Sequence, residues 1–178
     1  LEPASTDPLE KDAYTITITP ESASVNGNSP TGLFYGLQTL IQLTEQFGEE
    51  LPALIIEDQP DFQWRGFHHD ISRGRVPKLE TFKWMIDYLA RHKANMYQLY
   101  VEHPFMFRFN PDIAHNPDGL TPEEVLELDQ YARDRRVAFV PSLQSFGHMA
   151  GVFSLPEYQE LADVNLEKEW EELTWHER

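Results

Sequence analysis

The sequence predicts an α/β protein in which a small α+β domain precedes a region of alternating strands and helices. The first region combines β-branched alternation, a capped helix and short strands, which is typical of a small mixed sheet. The second region has apolar strands separated by helix-length segments, which favours parallel pairing through right-handed crossovers. Residues 58–61 read Asp-Gln-Pro-Asp, a natural boundary, so we predict domains over residues 1–60 and 61–178.

The first domain opens with a strand. Residues 14–19 read Tyr-Thr-Ile-Thr-Ile-Thr, an alternation that places Tyr14, Ile16 and Ile18 on one face. A second strand is predicted over residues 23–25, after a turn. Ser29 then caps a helix that ends near residue 48, and a third strand follows over residues 54–56. Apolar residues recur in this helix at helical spacing, namely Leu33, Leu37, Leu40 and Ile41.

The second domain is predicted to contain three strands with helices between them. The strands are predicted over residues 64–72, 95–101 and 137–143, and the helices over residues 79–92 and from Thr121 onward. The buried faces of the helices are Leu79, Phe82, Ile86, Leu89 and Ala90 in one and Val125, Leu128 and Ala132 in the other. A doubly wound sheet and a barrel both fit this pattern. Because a complete eight-stranded barrel takes about 250 residues, a barrel within these 178 residues is a partial one.

The composition excludes several classes of function. The 30 acidic and 14 basic residues give a net charge of −16, which repels a phosphate backbone, so nucleic acid is not expected as a partner. The absence of cysteine excludes disulfides and thiolate metal sites. No apolar run is long enough for a transmembrane helix. No signal peptide is visible in the first residues, which leaves both a cytoplasmic and a secreted location open.

Polar side chains follow each of the three strands of the second domain. In parallel α/β folds, ligands bind at the carboxyl ends of the strands. The residues found there are Asp70 and Arg73 after the first strand, Glu102 and His103 after the second, and Gln144 and His148 after the third. Phe105, Phe107 and Phe146 lie close to them in the sequence. Hydrogen-bonding groups beside aromatic rings suit a sugar, whose hydroxyls need fixed partners and whose ring face is apolar.

Each candidate residue also has a structural interpretation. A histidine at a strand end more often bridges polar groups than acts on a substrate. A buried salt bridge explains Arg65, within the first strand, as well as ligand binding does. His68 and Asp70 share one face of that strand while His69 points to the other, so the three cannot enclose one metal ion. Neither a metal nor a cofactor is therefore expected.

Four segments stand out in order along the sequence. They are residues 29–40, Ser-Pro-Thr-Gly-Leu-Phe-Tyr-Gly-Leu-Gln-Thr-Leu; Trp64-Arg65-Gly66 with Asp70-Ile71-Ser72-Arg73; residues 92–96, His-Lys-Ala-Asn-Met; and Phe146-Gly147-His148. In the same order, they resemble segments of the β-N-acetylhexosaminidases of glycoside hydrolase family 20. The first resembles the helix of the small domain that precedes the family's barrel, and the second is similar to the first barrel strand. The third resembles the entry to the second strand, and the fourth resembles the Pro-Gly-His after the third.

The resemblance implies a small zincin-like α+β domain followed by the first three strands of a (β/α)8 TIM barrel. It also implies hydrolysis of terminal β-linked N-acetylglucosamine or N-acetylgalactosamine, in which the substrate's own acetamido oxygen attacks the anomeric carbon. In the family, an Asp-Glu pair after the fourth strand orients that group and protonates the leaving oxygen. The sequence contains no Asp-Glu dipeptide, so this chain by itself is expected to be inactive.

Binding residues also follow from the resemblance. Arg65 falls on the arginine that contacts the ring hydroxyls in the family, and His148 falls on the histidine after the third strand. Where the family has Asp-Asp after the second strand, this chain has His103-Pro104 preceded by Glu102, and Gln144 stands where the family has Asp. The expected substrate-binding residues, which share one cavity, are Arg65, Glu102, His103 and His148, and the supporting residues are Asp70, Arg73 and Gln144.

Two other classes of function stay open on the sequence. One is a carbohydrate-binding module that binds a sugar without hydrolysing it. The other is an interaction domain in which Trp170 and Trp175, exposed in a polar helix predicted over residues 157–178, dock on a partner. An incomplete barrel also exposes apolar surface, which favours self-association.

Overall fold

The computed structural model describes residues 8–114 and 118–162. The strands are β1 (Tyr14–Ile18), β2 (Ala23–Gly27), β3 (Leu54–Asp58), β4 (Gly66–Asp70), β5 (Met96–Val101) and β6 (Ala138–Leu143). The α-helices are α1 (Pro8–Lys11), α2 (Pro30–Phe47), α3 (Leu79–Arg91), α4 (Pro122–Arg133) and α5 (Ala150–Phe153). Two 3₁₀ helices occupy Pro111–Ile113 and Pro156–Leu161. The described elements follow the predicted order, except that the short helix α1 was not predicted.

The first three strands form an antiparallel sheet in the order β2-β1-β3. In the middle of this sheet, Ile16 is opposite Val25 on one side and Ile56 on the other. The alternation in β1 buries Tyr14, Ile16 and Ile18, as the sequence predicted. These side chains form the core of the first domain together with Tyr35 of α2.

Helix α2 begins and ends where the sequence predicted. The Oγ of Ser29 accepts hydrogen bonds from the backbone N–H groups of Thr31 and Gly32, both at 3.1 Å, and Gly48 ends the helix with a φ of 70°. The buried face differs from the stripe of leucines and isoleucine that stands out in the sequence. The buried residues of α2 are Gly32, Tyr35 and Gly36, whereas Leu33, Leu37 and Ile41 are 40–45% exposed. Two glycines let the helix backbone approach the sheet, and that close contact decides which face is buried.

Gly32 gives a first prediction. A Cβ at this position would lie 2.4 Å from the carbonyl oxygen of Ala13, which is backbone and cannot rotate away. We expect Gly32→Ala to lower the free energy of unfolding by roughly 1–3 kcal/mol, although alanine is the better helix former by about 1 kcal/mol. Urea unfolding measures the change, with the exposed Gln46→Ala in the same helix as the control. A Gly32→Ala protein as stable as the wild type would contradict the close approach.

The last three strands form a second sheet in the order β4-β5-β6. The backbone N–H of Ala138 donates to the carbonyl oxygen of Asn95 at the start of the β5–β6 pair, and the N–H of Gln144 donates to Val101 at its end, both at 2.8 Å. Because the residue numbers rise along both strands from the first bond to the second, β5 and β6 are parallel. The N–H of Asn95 donates to the carbonyl oxygen of Arg65 before β4 and β5, and the N–H of Ile71 donates to that of Tyr100 at their ends. β4 and β5 are therefore also parallel, and all three strands present their carboxyl ends at one edge.

The helices of the second domain bury the faces that the sequence predicted. Helix α3 buries Phe82, Ile86, Leu89 and Ala90, and helix α4 buries Leu128 and Ala132. Two elements differ from the prediction. The first strand is shorter and covers only Gly66–Asp70, and residues 156–161 form a 3₁₀ helix where an α-helix was expected to begin. The remainder of that predicted helix, with Trp170 and Trp175, lies outside the described residues.

Contacts divide the described residues into two compact units. Unit 1 contains the described residues up to Phe67 together with Leu79–Gln98 and Leu128–Val140. Unit 2 contains His68–Lys78 together with the described parts of the ranges 99–127 and 141–162. Unit 1 thus includes the first halves of the second sheet's strands, and unit 2 includes their carboxyl-terminal halves. In the described ranges, no helix has the length and apolar character that a membrane span requires.

Candidate functional site

The carboxyl-terminal half of β5 directs two polar side chains to one face of the sheet. Leu99 and Val101 are buried, and Tyr100 and Glu102 alternate with them and are partly exposed. Leu99 and Val101 line an apolar cavity of about 240 Å³ in unit 2. Since successive side chains of a strand point to opposite faces, that cavity and the polar pair lie on different faces of β5, and the polar face carries the candidate site.

Glu102 is the centre of a hydrogen-bonded group in unit 2. Its Oε1 accepts from the Tyr100 hydroxyl and from Nη2 of Arg73, both at 2.7 Å. Its backbone N–H donates to Oγ of Ser72 at 2.7 Å. We call this group, with two further members introduced below, the carboxyl-end cluster: Asp70, Ser72, Arg73, Tyr100, Glu102 and His148.

Asp70 and Arg73 connect the end of β4 to Glu102. The Oδ1 of Asp70 accepts from the backbone N–H of Ser72 at 2.8 Å, and its Oδ2 accepts from Nη1 of Arg73 at 2.5 Å. Arg73 therefore bridges two carboxylates through its two terminal nitrogens, while its side chain stays 56% exposed. A guanidinium fixed in this manner keeps donors available to a ligand.

His148 brings the loop after β6 to the same carboxylate. Its Nδ1 lies 3.5 Å from Oε1 of Glu102, and its backbone has a φ of 60°, in the left-handed region. Its side chain is 54% exposed. Residues from the ends of all three strands therefore meet at Glu102, whose own side chain is only 11% exposed.

The electrostatics of the carboxyl-end cluster favour charged carboxylates. Burial by itself raises the pKa of Glu102, but hydrogen bonds from Tyr100 and Arg73 and the nearby His148 outweigh it and lower the pKa. Burial likewise raises the pKa of Asp70, and the Ser72 backbone N–H and Arg73 bring it below its ordinary value. The bond to Asp70 in turn raises the pKa of Arg73. Near neutral pH the cluster presents one guanidinium between two carboxylates.

Two other predicted residues contribute less. The backbone N–H of Gln144 pairs with β5, which places its half-buried side chain at the end of β6. His103 is half-buried next to Glu102, and within residues 8–114 and 118–162 it takes no part in the cluster's hydrogen bonds.

His69 is partly buried, and burial lowers its pKa. No group of three metal-ligating side chains occurs among the described residues.

Arg65, another predicted site residue, belongs to unit 1. It immediately precedes β4, at the amino end of the strand whose carboxyl end is Asp70. Its guanidinium donates to the Tyr35 hydroxyl at 3.0 Å and to the Lys93 carbonyl at 2.9 Å, and it lies 4.0 Å from Asp12. These partners belong to unit 1, so the structure favours the salt-bridge interpretation that the sequence left open for this arginine.

Lys93 forms a second polar group around the amino ends of β4 and β5. Its Nζ donates to the Tyr14 hydroxyl at 2.7 Å, to Oγ1 of Thr39 at 2.9 Å and to Oδ2 of Asp58 at 3.1 Å. This amino-end cluster lines a cavity of about 220 Å³ in unit 1. Its members are Asp12, Tyr14, Tyr35, Thr39, Asp58, Arg65 and Lys93. Because each charged member is paired within the cluster, we interpret it as structural.

The amino-end cluster predicts acid sensitivity. Burial raises the pKa of Asp58, but hydrogen bonds from Tyr14 and Lys93 lower it below its ordinary value. A lowered pKa stabilises the fold above the unfolded-state value, and that stability is lost as the pH falls through the folded-state value. We expect the free energy of unfolding of the wild type to approach that of Asp58→Asn between about pH 5 and pH 2. A difference that stays constant over this range would contradict the prediction, and Glu57→Gln, an exposed neighbour, serves as the control.

Tyr100 is the cluster member that sequence reasoning missed. Ser72 was placed beside Arg73 after the first strand, but no role was predicted for it. The signal for Tyr100 was its position two residues before Glu102, which places both on one strand face. No comparable signal marked Ser72, whose role depends on the bond between its Oγ and the backbone of β5.

Comparison with known proteins gives the chain's relatives. Two family models match: "Glycosyl hydrolase family 20, domain 2" over residues 1–59 and "Glycosyl hydrolase family 20, catalytic domain" over residues 62–177. The β-hexosaminidase of Porphyromonas gingivalis is 30% identical over 178 residues, covering 84% of this chain and 22% of that protein. That of Akkermansia muciniphila is 30% identical over 163 residues, covering 79% of this chain and 32% of that protein. The chain thus spans a third or less of these relatives' length.

Solved structures match the fold as well. Flavobacterium johnsoniae chitobiase aligns with a TM-score of 0.74 at 26% identity, covering 84% of this chain and 24% of that one. The Streptomyces plicatus N-acetyl-β-hexosaminidase, solved with Thio-NAglucal, aligns with a TM-score of 0.70 at 27% identity, covering 84% of this chain and 34% of that one. These matches confirm the predicted fold class, a small α+β domain followed by a partial barrel, and they decide the alternative between a barrel and a doubly wound sheet.

Proposed function

The chain belongs to glycosyl hydrolase family 20, and on that premise we propose that it forms part of a β-N-acetylhexosaminidase. The reaction is hydrolysis of terminal β-linked N-acetylglucosamine or N-acetylgalactosamine from a glycan. The relatives whose names contain this activity support the proposal. Because the chain spans only 22–34% of the length of these relatives, the activity belongs to a longer polypeptide that contains this chain and completes the barrel.

The observation that carries this proposal is the convergence of three strand ends on Glu102. Barrel enzymes bind substrate at this edge of the strands. The ring hydroxyls of a sugar require donors and acceptors in fixed positions, and a guanidinium between two carboxylates offers both. Phe146, fully exposed two residues before His148, supplies an apolar surface for a ring face. The cluster therefore suits a neutral sugar better than an anionic ligand.

Within this proposal each side chain has a separate role. Arg73 donates to ring hydroxyls of the terminal sugar, and Glu102 accepts from them. His148, whose Nδ1 lies 3.5 Å from Oε1 of Glu102, offers a further polar group to the sugar. Asp70 fixes the orientation of Arg73 through its bond to Nη1. Arg65 has no role at the sugar, because its guanidinium is engaged at the amino ends of the strands.

The chemical step requires groups that these 178 residues do not provide. In the substrate-assisted route, the acetamido oxygen attacks the anomeric carbon, while an acid protonates the leaving oxygen. The sequence has no Asp-Glu dipeptide to orient the acetamido group and supply that proton. We therefore assign sugar binding to this chain and proton transfer to the rest of the barrel.

Hydrolysis of a chromogenic N-acetyl-β-glucosaminide tests the proposal. The polypeptide with the complete barrel is expected to hydrolyse this substrate but not the corresponding β-glucoside, which lacks the acetamido nucleophile. The 178-residue chain alone is expected to show no turnover, because removing a general acid commonly costs 10²-fold or more in rate. Turnover by the short chain, or equal turnover of both substrates by the long one, would contradict the proposal. Sugar binding by the long polypeptide without hydrolysis would instead indicate a carbohydrate-binding module.

A further inference from the structure

Tyr100 makes a contact that the proposed roles leave unexplained. Its hydroxyl donates to Oε1 of Glu102 at 2.7 Å, from two residues earlier on the same face of β5. Glu102 does not need this bond to remain charged, since Arg73 already donates to the same oxygen. A second strong donor on one oxygen indicates that the orientation of the carboxylate is being fixed.

The distribution of donors on Glu102 is uneven. Tyr100 and Arg73 both bind Oε1 at 2.7 Å, which occupies the two lone pairs of that oxygen. Nδ1 of His148 approaches the same atom but stays at 3.5 Å, longer than a hydrogen bond. In the part of the chain that the structure describes, Oε2 accepts no hydrogen bond from the cluster. Within the cluster, Oε1 of the carboxylate is therefore saturated, whereas Oε2 is not engaged.

Resting on the proposed function, we propose that Tyr100 is a positioning residue for sugar recognition. Together with Arg73 it binds Oε1 and thereby fixes the rotation of the Glu102 carboxylate. Oε2 is then held ready to accept a hydrogen bond from a ring hydroxyl of the terminal N-acetylhexosamine. Tyr100 does not itself contact the sugar in this account, and it acts through Glu102.

The ring of Tyr100 has separate contacts that its hydroxyl does not share. The guanidinium carbon of Arg73 lies 5.5 Å from the ring centroid, and the ring of His68 lies 5.6 Å from it. Phenylalanine retains both contacts and removes only the hydroxyl. Tyr100→Phe therefore isolates the bond to Glu102 and leaves the packing of the strand unchanged.

The loss of this hydroxyl has a predictable electrostatic effect. The charged or titratable groups around Glu102 are Asp70, Arg73, His148, His103 and, across the Tyr100 ring, His68. Burial has the largest effect on the pKa of Glu102 and raises it. The hydrogen bond from Tyr100 has the next largest effect and lowers this pKa. Without the bond the pKa of Glu102 rises, although Arg73 still opposes protonation. Oε1 also regains a lone pair, so the carboxylate is free to rotate toward His148.

The test compares Tyr100→Phe with Tyr131→Phe in the polypeptide that has the complete barrel. Tyr131, on helix α4, is a matched control, because its hydroxyl also donates to a carboxylate, Oδ2 of Asp87 at 2.8 Å. We expect Tyr100→Phe to raise KM for the N-acetylglucosaminide roughly 10- to 100-fold, the range for a hydrogen bond to a charged group, with a smaller change in kcat. The acidic limb of kcat/KM is expected to shift to higher pH. Tyr131→Phe is expected to match the wild type in both readouts.

The outcomes separate this inference from the proposed function. If the wild-type polypeptide hydrolyses the substrate and Tyr100→Phe has the same KM and pH profile, the positioning role is wrong and the function stands. If the wild type shows no turnover, the proposed function fails. The effect on Glu102 is then measured by NMR titration of the glutamate carboxyl carbons, where an unchanged pKa in Tyr100→Phe overturns the positioning role as well. Urea unfolding confirms that both variants are folded.

Discussion

Replacing Arg73 with alanine is expected to reduce kcat/KM of the complete enzyme by roughly 100-fold or more, equivalent to about 3 kcal/mol. The substitution removes the donor that joins Asp70 to Glu102 and leaves Glu102 without its guanidinium partner. In the proposed site it also removes a donor to the sugar. Since the Arg73 side chain is 56% exposed, we expect the free energy of unfolding to change by less than about 1 kcal/mol.

Steady-state kinetics on a chromogenic N-acetyl-β-glucosaminide measures this effect. Arg73→Lys is the informative companion, because lysine keeps the charge but cannot bridge two carboxylates in a planar geometry. We expect it to recover only part of the lost kcat/KM. An Arg73→Ala enzyme with wild-type kcat/KM and wild-type stability would remove Arg73 from the site.

Replacing Arg65 with alanine is expected to have the opposite profile. The variant loses the hydrogen bonds of its guanidinium to Tyr35 and to the carbonyl oxygens of Phe62 and Lys93. It also removes from Asp12, whose pKa burial raises, the positive charge that opposes this rise most. We expect the free energy of unfolding to fall by roughly 2–4 kcal/mol, the scale for removing one member of a partly buried charged network. The kcat/KM of the folded fraction is expected to remain within about twofold of the wild type.

The two arginines thus form a matched pair within one short segment. Urea unfolding and kinetics on both alanine variants distinguish a structural arginine at the amino end of β4 from a sugar-binding arginine after its carboxyl end. An Arg65→Ala enzyme that is stable but has lost its activity would support the assignment made from the sequence resemblance and contradict the one made from the structure.

Much of the fold was predictable because its signals are local. The alternation in residues 14–18 and the serine cap at residue 29 determine β1 and the start of α2 without reference to distant residues. The buried face of α2 was not predictable in this way. It depends on Gly32 and Gly36, which have no side chains to register in a hydrophobic pattern, and on the close approach of the sheet backbone. The division at residue 60 remains a prediction, since the compact units run across it.

The candidate site was predictable to the extent that a topological rule applies. The carboxyl ends of parallel strands identified Asp70, Arg73, Glu102 and His148, which the structure brings together. The rule cannot rank residues within a strand. Arg65 was therefore included from a resemblance, although the β4 strand separates it from that edge. Tyr100 was passed over because a tyrosine in a strand is readily explained by packing. The function of its hydroxyl depends on the hydrogen bond to Glu102, which the structure shows.

The most direct test of the central claim is a crystal structure of the complete-barrel polypeptide with N-acetylglucosamine bound. We expect ring hydroxyls of the sugar within about 3.2 Å of Oε2 of Glu102 and of the Arg73 guanidinium. The Tyr100 hydroxyl is expected to remain on Oε1, as it is in the free chain. A sugar bound beside Arg65, or one that touches neither Glu102 nor Arg73, would contradict the claim that the carboxyl-end cluster is the sugar site.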